Sequence, residues 1–156
     1  MMDQTTIGDA RLWRLFAEAA IRERWNDIAR SAQNLVDELD MRSGDFSPTS
    51  VRGLINAVGT GPGRRQPKQR LDSLKRYLAW RKHKAGEEGP WDRAITQITR
   101  HLTDLEAEVD DLLDRIGERY GLAPLEPAER VRLAHEMHLR LCEVYMDTLT
   151  RYYDRY

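Results

Sequence analysis

The helical period of a single apolar stripe constrains the fold of this chain more than any other feature of its sequence. Between residues 95 and 116 the apolar residues recur every three or four positions, which is the spacing of one buried helix face. The members of this stripe are Ile95, Ile98, Leu102, Leu105, Val109, Leu112, Leu113 and Ile116. No stretch of the chain alternates apolar and polar residues for long, so the sequence predicts an all-α fold without a sheet.

Capping and helix-breaking residues predict how the first third of the chain divides. Asp9 is a suitable N-cap for a first helix, which continues either as one long helix or as two helices with a bend near Trp25. Ser47 followed by Pro48 predicts the start of a short helix, because serine caps well and proline fits the first helical position. The apolar stripe of the first helix is predicted to begin with Leu12, Leu15, Phe16, Ala19 and Ala20.

Three further helices complete the predicted fold. The basic segment from Arg70 to Lys84 has a helical period, Pro90 opens the helix that contains the long stripe, and Pro127 opens the last helix. Short connections favour antiparallel neighbours. The sequence therefore predicts a compact bundle of about five helices.

The length and composition bound the class of protein. The 156 residues are enough for one helical domain, residues 1–156, in which residues 1–45 form an N-terminal helical segment and residues 46–156 a helical core. No apolar run is long enough to predict a membrane span. Cys142 is the only cysteine and no secretory signal is evident, so we expect a cytoplasmic protein.

The charges of the chain are segregated although they nearly cancel. The segment from Arg64 to Lys84 contains nine Lys or Arg residues and a single acid, Asp72. The next segment, from Ala85 to Glu118, contains ten Asp or Glu residues and three Arg residues. A block of one sign is the usual electrostatic footprint of a site that binds a polyanion.

The basic segment places its apolar and charged residues on different sides. Leu71, Leu74 and Leu78 follow the spacing of one buried face, and Arg76, Trp80 and Lys84 fall on roughly the opposite side. An aromatic ring between two cations could contact a nucleic-acid backbone or stack on an unpaired base. The alternative is a solvated basic face whose tryptophan packs on another helix.

A set of ten residues is the predicted RNA-binding surface. Most belong to the basic helix or to the stretch before it, and one comes from the short helix that starts at Ser47. The set is Arg52, Arg64, Arg65, Lys68, Arg70, Lys75, Arg76, Trp80, Arg81 and Lys84.

We find no pattern that predicts catalysis, a metal or a cofactor. His135 and His138 are three residues apart, whereas the zinc-protease motif needs histidines four apart with a glutamate between them. Asp104, Glu108 and Asp111 share a helix face, which we interpret as a solvated surface or a contact for a basic neighbour. Cys142 has no evident activating histidine and is predicted to be a core residue.

Three blocks of the sequence resemble a known family. FSPTSVRGLINAV, from Phe46, resembles a pattern of the small helical subunit of type III-A CRISPR interference (Csm) complexes, namely Leu-Thr-Thr-Ser-x-x-Arg-x-Leu-x-x-x-Val. Thr49 lies at the family's Ser and Arg52 at its Arg, whereas Pro48 stands where the family usually has Thr. LDSLKRYLAWRKHK resembles its second block, although Trp80 replaces Tyr and Lys84 replaces Arg. LCEVYMDTLTRYYDRY resembles its aromatic-rich closing helix.

The resemblance spans residues 46–156 and implies a function. It implies a non-catalytic subunit of an RNA-guided antiviral complex, present in several copies that stack beside the guide RNA and target RNA. Its implied partners are other copies of itself, the repeated backbone subunits and the large polymerase-like subunit. RNA cleavage and signal synthesis would belong to those other subunits.

Two alternatives come from other classes of protein. One is a DNA-binding regulator that uses a helix-turn-helix, with the basic helix in a groove of the duplex. The stretch from Gly59 to Lys68 is, however, much longer than the turn of about three to four residues typical of that motif. The other alternative is a helical module that binds only proteins.

Overall fold

The computed structural model describes residues 8–39, 66–85 and 90–154. These residues form four helices and, within those ranges, no strand. The helices are α1 (Ala10–Glu38), α2 (Pro67–Ala85), α3 (Pro90–Tyr120) and α4 (Pro127–Asp154). The prediction of an all-α fold is confirmed.

The observed helix boundaries agree with the predicted signals. The Asp9 carboxylate accepts a hydrogen bond from the backbone N–H of Arg11, at 2.9 Å, and so caps α1. α1 is continuous through Trp25, which decides between one long helix and two. The short helix predicted from Ser47 lies outside the described residues, so the structure describes four helices where the sequence predicted about five.

Contacts along the helices give their directions. α1 is antiparallel to α3, since Arg24 pairs with Glu108 at 2.8 Å while α1 starts beside the end of α3. α1 is parallel to α4, since its first turns contact Glu136 and its last turn lies near Tyr152. α2 is shorter and packs against one side of the α3–α4 pair.

The core is continuous across the four helices. All eight residues of the stripe between positions 95 and 116 are buried, as predicted, and α4 adds the fully buried Tyr145 and Met146. Leu71, Leu74 and Leu78 attach α2 to this core. Burying a leucine side chain of this kind stabilises the fold by about 1.5–3 kcal/mol.

The predicted stripe of the first half of α1 was correct for Phe16 and Ala20, which pack against the core, and wrong for Leu12, Leu15 and Ala19, which are exposed. Leu15 is 70% exposed and Leu12 40% exposed, whereas Trp13, Ala17 and Ile21 form the buried line. The indole of Trp13 decides the rotation of the helix, because its N–H donates to the carbonyl oxygen of Ala123 at 3.0 Å. The prediction used local periodicity alone, which cannot show the long-range contact of Trp13 with Ala123.

Among the described residues, no helix is both long and apolar enough to cross a membrane. The long helices of this chain carry charged residues throughout.

Candidate nucleic-acid interface

α2 separates a buried side from a charged outer side. Its three leucines are 2–5% exposed, while Trp80 is 49% exposed. Arg76 is also exposed and lies one helical turn before Trp80. The structure therefore places this cation and this indole at the surface.

Trp80 belongs to an aromatic pair that the sequence analysis missed. The ring of Tyr77 lies 5.8 Å from the ring of Trp80, centroid to centroid, with the planes tilted by 39°. Tyr77 is half-buried and packs against the core, so it supports the more exposed indole from beneath. The signal was available, because two aromatic residues three positions apart share a helix face.

Within the described residues, Arg76 makes one long side-chain hydrogen bond. Its guanidinium donates a long hydrogen bond of 3.4 Å to the hydroxyl of Ser73, one turn earlier. Among the described residues it has no ion-pair partner. An exposed guanidinium of this kind can donate two parallel hydrogen bonds to a phosphate.

Three other members of the predicted set are partly neutralised within the protein. Lys68 pairs with Asp72 at 3.1 Å, Arg70 lies 3.7 Å from Glu143 of α4, and Lys75 lies 3.7 Å from Glu106 of α3. The Lys68 hydrogen bond holds the pKa of the Asp72 carboxyl below its usual value. These three cations therefore contribute less free positive charge than the sequence suggested.

The structure brings together only part of the predicted set. Arg81 is half-buried and follows Trp80 directly, and Lys84 lies in the last turn of α2, where its side chain is not described. Arg52, Arg64 and Arg65 lie outside the described residues. The exposed centre of the candidate interface is thus Arg76 and Trp80.

The acidic residues of α3 serve mainly to hold helices together. Glu108 accepts hydrogen bonds from Arg24 of α1 at 2.8 and 3.3 Å. Asp114 accepts one from Arg130 of α4 at 3.0 Å. Asp111 pairs with Arg115 within α3. The interpretation of Asp104, Glu108 and Asp111 as a solvated surface or a contact for a basic neighbour stays a prediction, and of the three Glu108 pairs with a basic residue of another helix of the same chain.

The two histidines of the His135–His138 segment differ in burial, since His135 is half-buried and His138 is buried. His138 is buried, and its Nε2–H donates to the carbonyl oxygen of Leu102 at 2.9 Å. Burial lowers the pKa of His138, so the imidazole is neutral at pH 7. Glu136, between the histidines, makes a bidentate pair with Arg14 at 2.9 and 3.0 Å. The segment ties α4 to α1 and α3.

Two further buried groups of α4 have structural roles. Cys142 lies in the core, as predicted, and burial raises the pKa of its thiol to about 12, which leaves it protonated and unreactive. The Tyr145 hydroxyl lies 2.6 Å from Nδ1 of His101, and burial raises the pKa of Tyr145. This hydrogen bond is a second polar link between α3 and α4.

Within residues 8–39, 66–85 and 90–154, no three His, Cys, Asp or Glu side chains are grouped so that they could hold a metal ion. Comparisons of the chain with protein-family models, with curated proteins and with solved structures find no match. The function of the chain is therefore inferred from the site itself and from the resemblance of the three sequence blocks.

Proposed function

We propose that this chain is a non-catalytic, RNA-contacting small subunit of a type III-A CRISPR effector complex in the cytoplasm. In this proposal several copies stack along the guide and target RNA and contact the backbone subunits and the large polymerase-like subunit. The resemblance of three ordered sequence blocks supplies the family. The exposed Arg76–Trp80 surface supplies the contact with RNA.

The exposure of Trp80 is the single observation that carries the proposal. An indole that is 49% exposed leaves apolar area in water, which is a cost that core packing would have removed. Tyr77 limits its movement from beneath, and Arg76 lies one turn away. A base can stack on such a ring while the neighbouring cation binds a phosphate, and neither contact depends on base identity.

Replacing Trp80 with alanine tests this contact. Stacking of one base on an aromatic side chain contributes about 1–3 kcal/mol, so the affinity for single-stranded RNA is expected to fall about fivefold to over a hundredfold. The melting temperature is expected to change little, because the ring is half-exposed. Fluorescence anisotropy with labelled single-stranded RNAs of unrelated sequence measures the affinity, and thermal unfolding measures the stability.

The chain provides a matched control in Trp25. This indole is 40% exposed on α1 and lies 5.7 Å from the guanidinium of Arg140, so it is also an exposed tryptophan beside an arginine. Trp25→Ala is expected to leave RNA affinity unchanged. Equal losses in the two variants, or no loss in Trp80→Ala, would contradict the assignment of the interface to α2.

The salt dependence and the sequence preference of binding distinguish this proposal from the DNA-binding alternative. A backbone contact gives similar affinity for all single-stranded RNAs, and each lost phosphate contact makes the slope of log affinity against log salt shallower by about 0.7. Arg76→Gln is therefore expected to reduce that slope by about one such step. Strong preference for one palindromic DNA duplex would instead support the helix-turn-helix regulator.

A further inference from the structure

An apolar groove runs between α2 and α3, on a different side of α2 from Trp80. Its volume is about 430 Å³, and its floor is formed by α4. Leu74 and Leu78 line one wall and Ile95 lines the other. Lys82, at the rim, lies two residues after Trp80 and so points about 160° away from it around the helix axis. The groove and the proposed RNA surface are therefore separate faces.

The polar groups inside the groove already have partners. The floor residue His138 donates from Nε2 to the carbonyl oxygen of Leu102. The hydroxyls of Thr96 and Thr103 donate to backbone carbonyl oxygens of their own helix, at 2.8 and 2.9 Å. The hydrogens of these three groups are therefore already used, and most of the remaining lining is leucine, isoleucine or alanine, so an occupant buries mainly apolar groups there.

The rim of the groove carries positive charge on the α2 side. Lys75 and Lys82 are both exposed and lie seven residues apart, which places them on the same side of the helix and about 10.5 Å apart along its axis. On the opposite rim, Thr99 and Thr103 are joined by the exposed Glu106, which pairs with Lys75 at 3.7 Å. Lys82 is therefore the rim cation that a carboxylate of an occupant would match, because no acid among the described residues forms an ion pair with it.

The dimensions of the groove fit a helix. The lining residues extend from Leu71 to Lys82 and from Ile95 to Glu106, about 16 Å along each wall, which is three helical turns. Two neighbouring helices present a natural groove for a third, as when an amphipathic helix lies in a hydrophobic groove with anchors at i, i+3 or i+4, and i+7.

We propose that the groove between α2 and α3 binds an amphipathic helix of a partner protein. The partner helix presents leucine-like side chains to the floor and an acidic side chain to Lys82. This site is independent of RNA binding. It gives the chain a second function, the docking of a protein segment, on a face that the interface at Arg76 and Trp80 does not use.

A designed peptide tests the proposal on the full-length chain. The probe is a labelled helical peptide with leucines at i, i+3 and i+7 and a glutamate placed to face Lys82. Wild-type protein is expected to bind it saturably in fluorescence anisotropy. Lys82→Glu is expected to weaken binding about fivefold, because one rim attraction becomes a repulsion. A peptide with lysine in place of the facing glutamate is expected to recover that loss with Lys82→Glu.

A second variant blocks the groove without touching the core. Thr99 is an exposed rim residue, so Thr99→Arg narrows the groove and is expected to abolish peptide binding while the helix content stays at the wild-type level. Arg30→Glu, an exposed charge reversal on α1, is the matched control and is expected to have no effect. RNA affinity measured on the same variants is expected to stay at the wild-type value in Thr99→Arg.

Several results would overturn the proposal. Failure of wild-type protein to bind the peptide, with intrachain crosslinks from Lys82 to residues 40–65, would show that the chain fills its own groove. A dimer that Thr99→Arg dissociates, seen by sedimentation, would show that a second copy is the occupant. Binding of dodecanoate but not of the peptide would identify a site for small amphiphiles. If Lys82→Glu lost RNA binding and peptide binding to the same extent, the groove and the RNA surface would be one site and not two.

Discussion

α2 and α3 lie side by side and use their charges in different ways. α3 buries nine apolar residues, and its Glu108, Glu106 and Asp114 pair with Arg or Lys residues of α1, α2 and α4 respectively. α2 buries three leucines, and its exposed centre carries Arg76 and Trp80. Charge on α3 connects helices, whereas much of the charge on α2 remains at the surface. We infer that mutations in α3 mainly change stability and mutations in α2 mainly change binding.

The largest expected effect is the loss of stability when the α3 core is truncated. Leu113 is fully buried, so Leu113→Ala leaves a cavity and is expected to lower the free energy of unfolding by about 2–5 kcal/mol. Urea denaturation measures this loss. Trp80→Ala removes a larger side chain from α2 and is expected to cost much less. A comparable loss of stability in the two variants would contradict the inference that α3 mainly determines stability and α2 mainly determines binding.

The next largest expected effect is the loss of stability when the close packing at the end of α3 is disturbed. A Cβ atom at Gly117 would lie 2.9 Å from Cη2 of Trp13, a rigid ring fixed by its own hydrogen bond. Gly117→Ala is therefore expected to destabilise the fold by about 1–3 kcal/mol, partly offset by the better helix propensity of alanine, about 1 kcal/mol. Thermal unfolding and the near-ultraviolet circular dichroism of Trp13 measure the change. Unchanged stability with a wild-type spectrum would mean that the α1–α3 contact is looser than the structure shows.

The sequence predicted α3 well because one period explains it. Its stripe has no competing apolar line, so helix type and buried face both follow from spacing. In α1 two apolar lines compete, and the choice depends on the contact of Trp13 with Ala123, more than a hundred residues away. Local periodicity contains no information about such a partner.

The candidate interface was predictable in part for a related reason. The spacing of Leu71, Leu74 and Leu78 placed Trp80 away from the buried face, and the structure agrees. Spacing could not show that Lys75 and Arg70 lie near glutamates of other helices. The sequence therefore overstated the positive charge of the surface, because charge on one helix is reduced by helices that are distant in sequence.

The polar links between α3 and α4 predict a pH dependence of stability. Burial lowers the pKa of His138 and of His101 in the folded protein, so the unfolded chain binds more protons below its histidine pKa of 6.5. The stabilisation is complete above that value and is expected to fall as the pH falls from about 7 to about 5. Urea denaturation at several pH values measures it.

A substitution at His138 measures how much of the pH dependence of stability is due to His138. His138→Gln keeps a nitrogen donor for the carbonyl oxygen of Leu102 but does not titrate. This variant is expected to be less sensitive to acidification than the wild type, even if its stability at neutral pH is lower. A pH dependence identical to that of the wild type would assign the effect to other groups.

The smallest expected effect compares two equivalent ion pairs directly. Lys68–Asp72 on α2 and Arg115–Asp111 on α3 are both exposed pairs four residues apart, each with a separation of 3.1 Å. Neither Asp72→Asn nor Asp111→Asn is expected to change the melting temperature measurably, because exposed pairs of this kind contribute little. Their effects on RNA binding are expected to differ.

Asp72→Asn removes the only acid of the basic segment and releases Lys68, so RNA affinity at low salt is expected to rise by no more than about fivefold. The gain is expected to disappear as salt screens the charges. Asp111→Asn releases Arg115 on α3 and is expected to leave RNA affinity unchanged. Anisotropy titrations at two salt concentrations distinguish the variants. An equal gain from both would show that RNA responds to the net charge of the chain, and the distinction between α2 and α3 would then fail for binding.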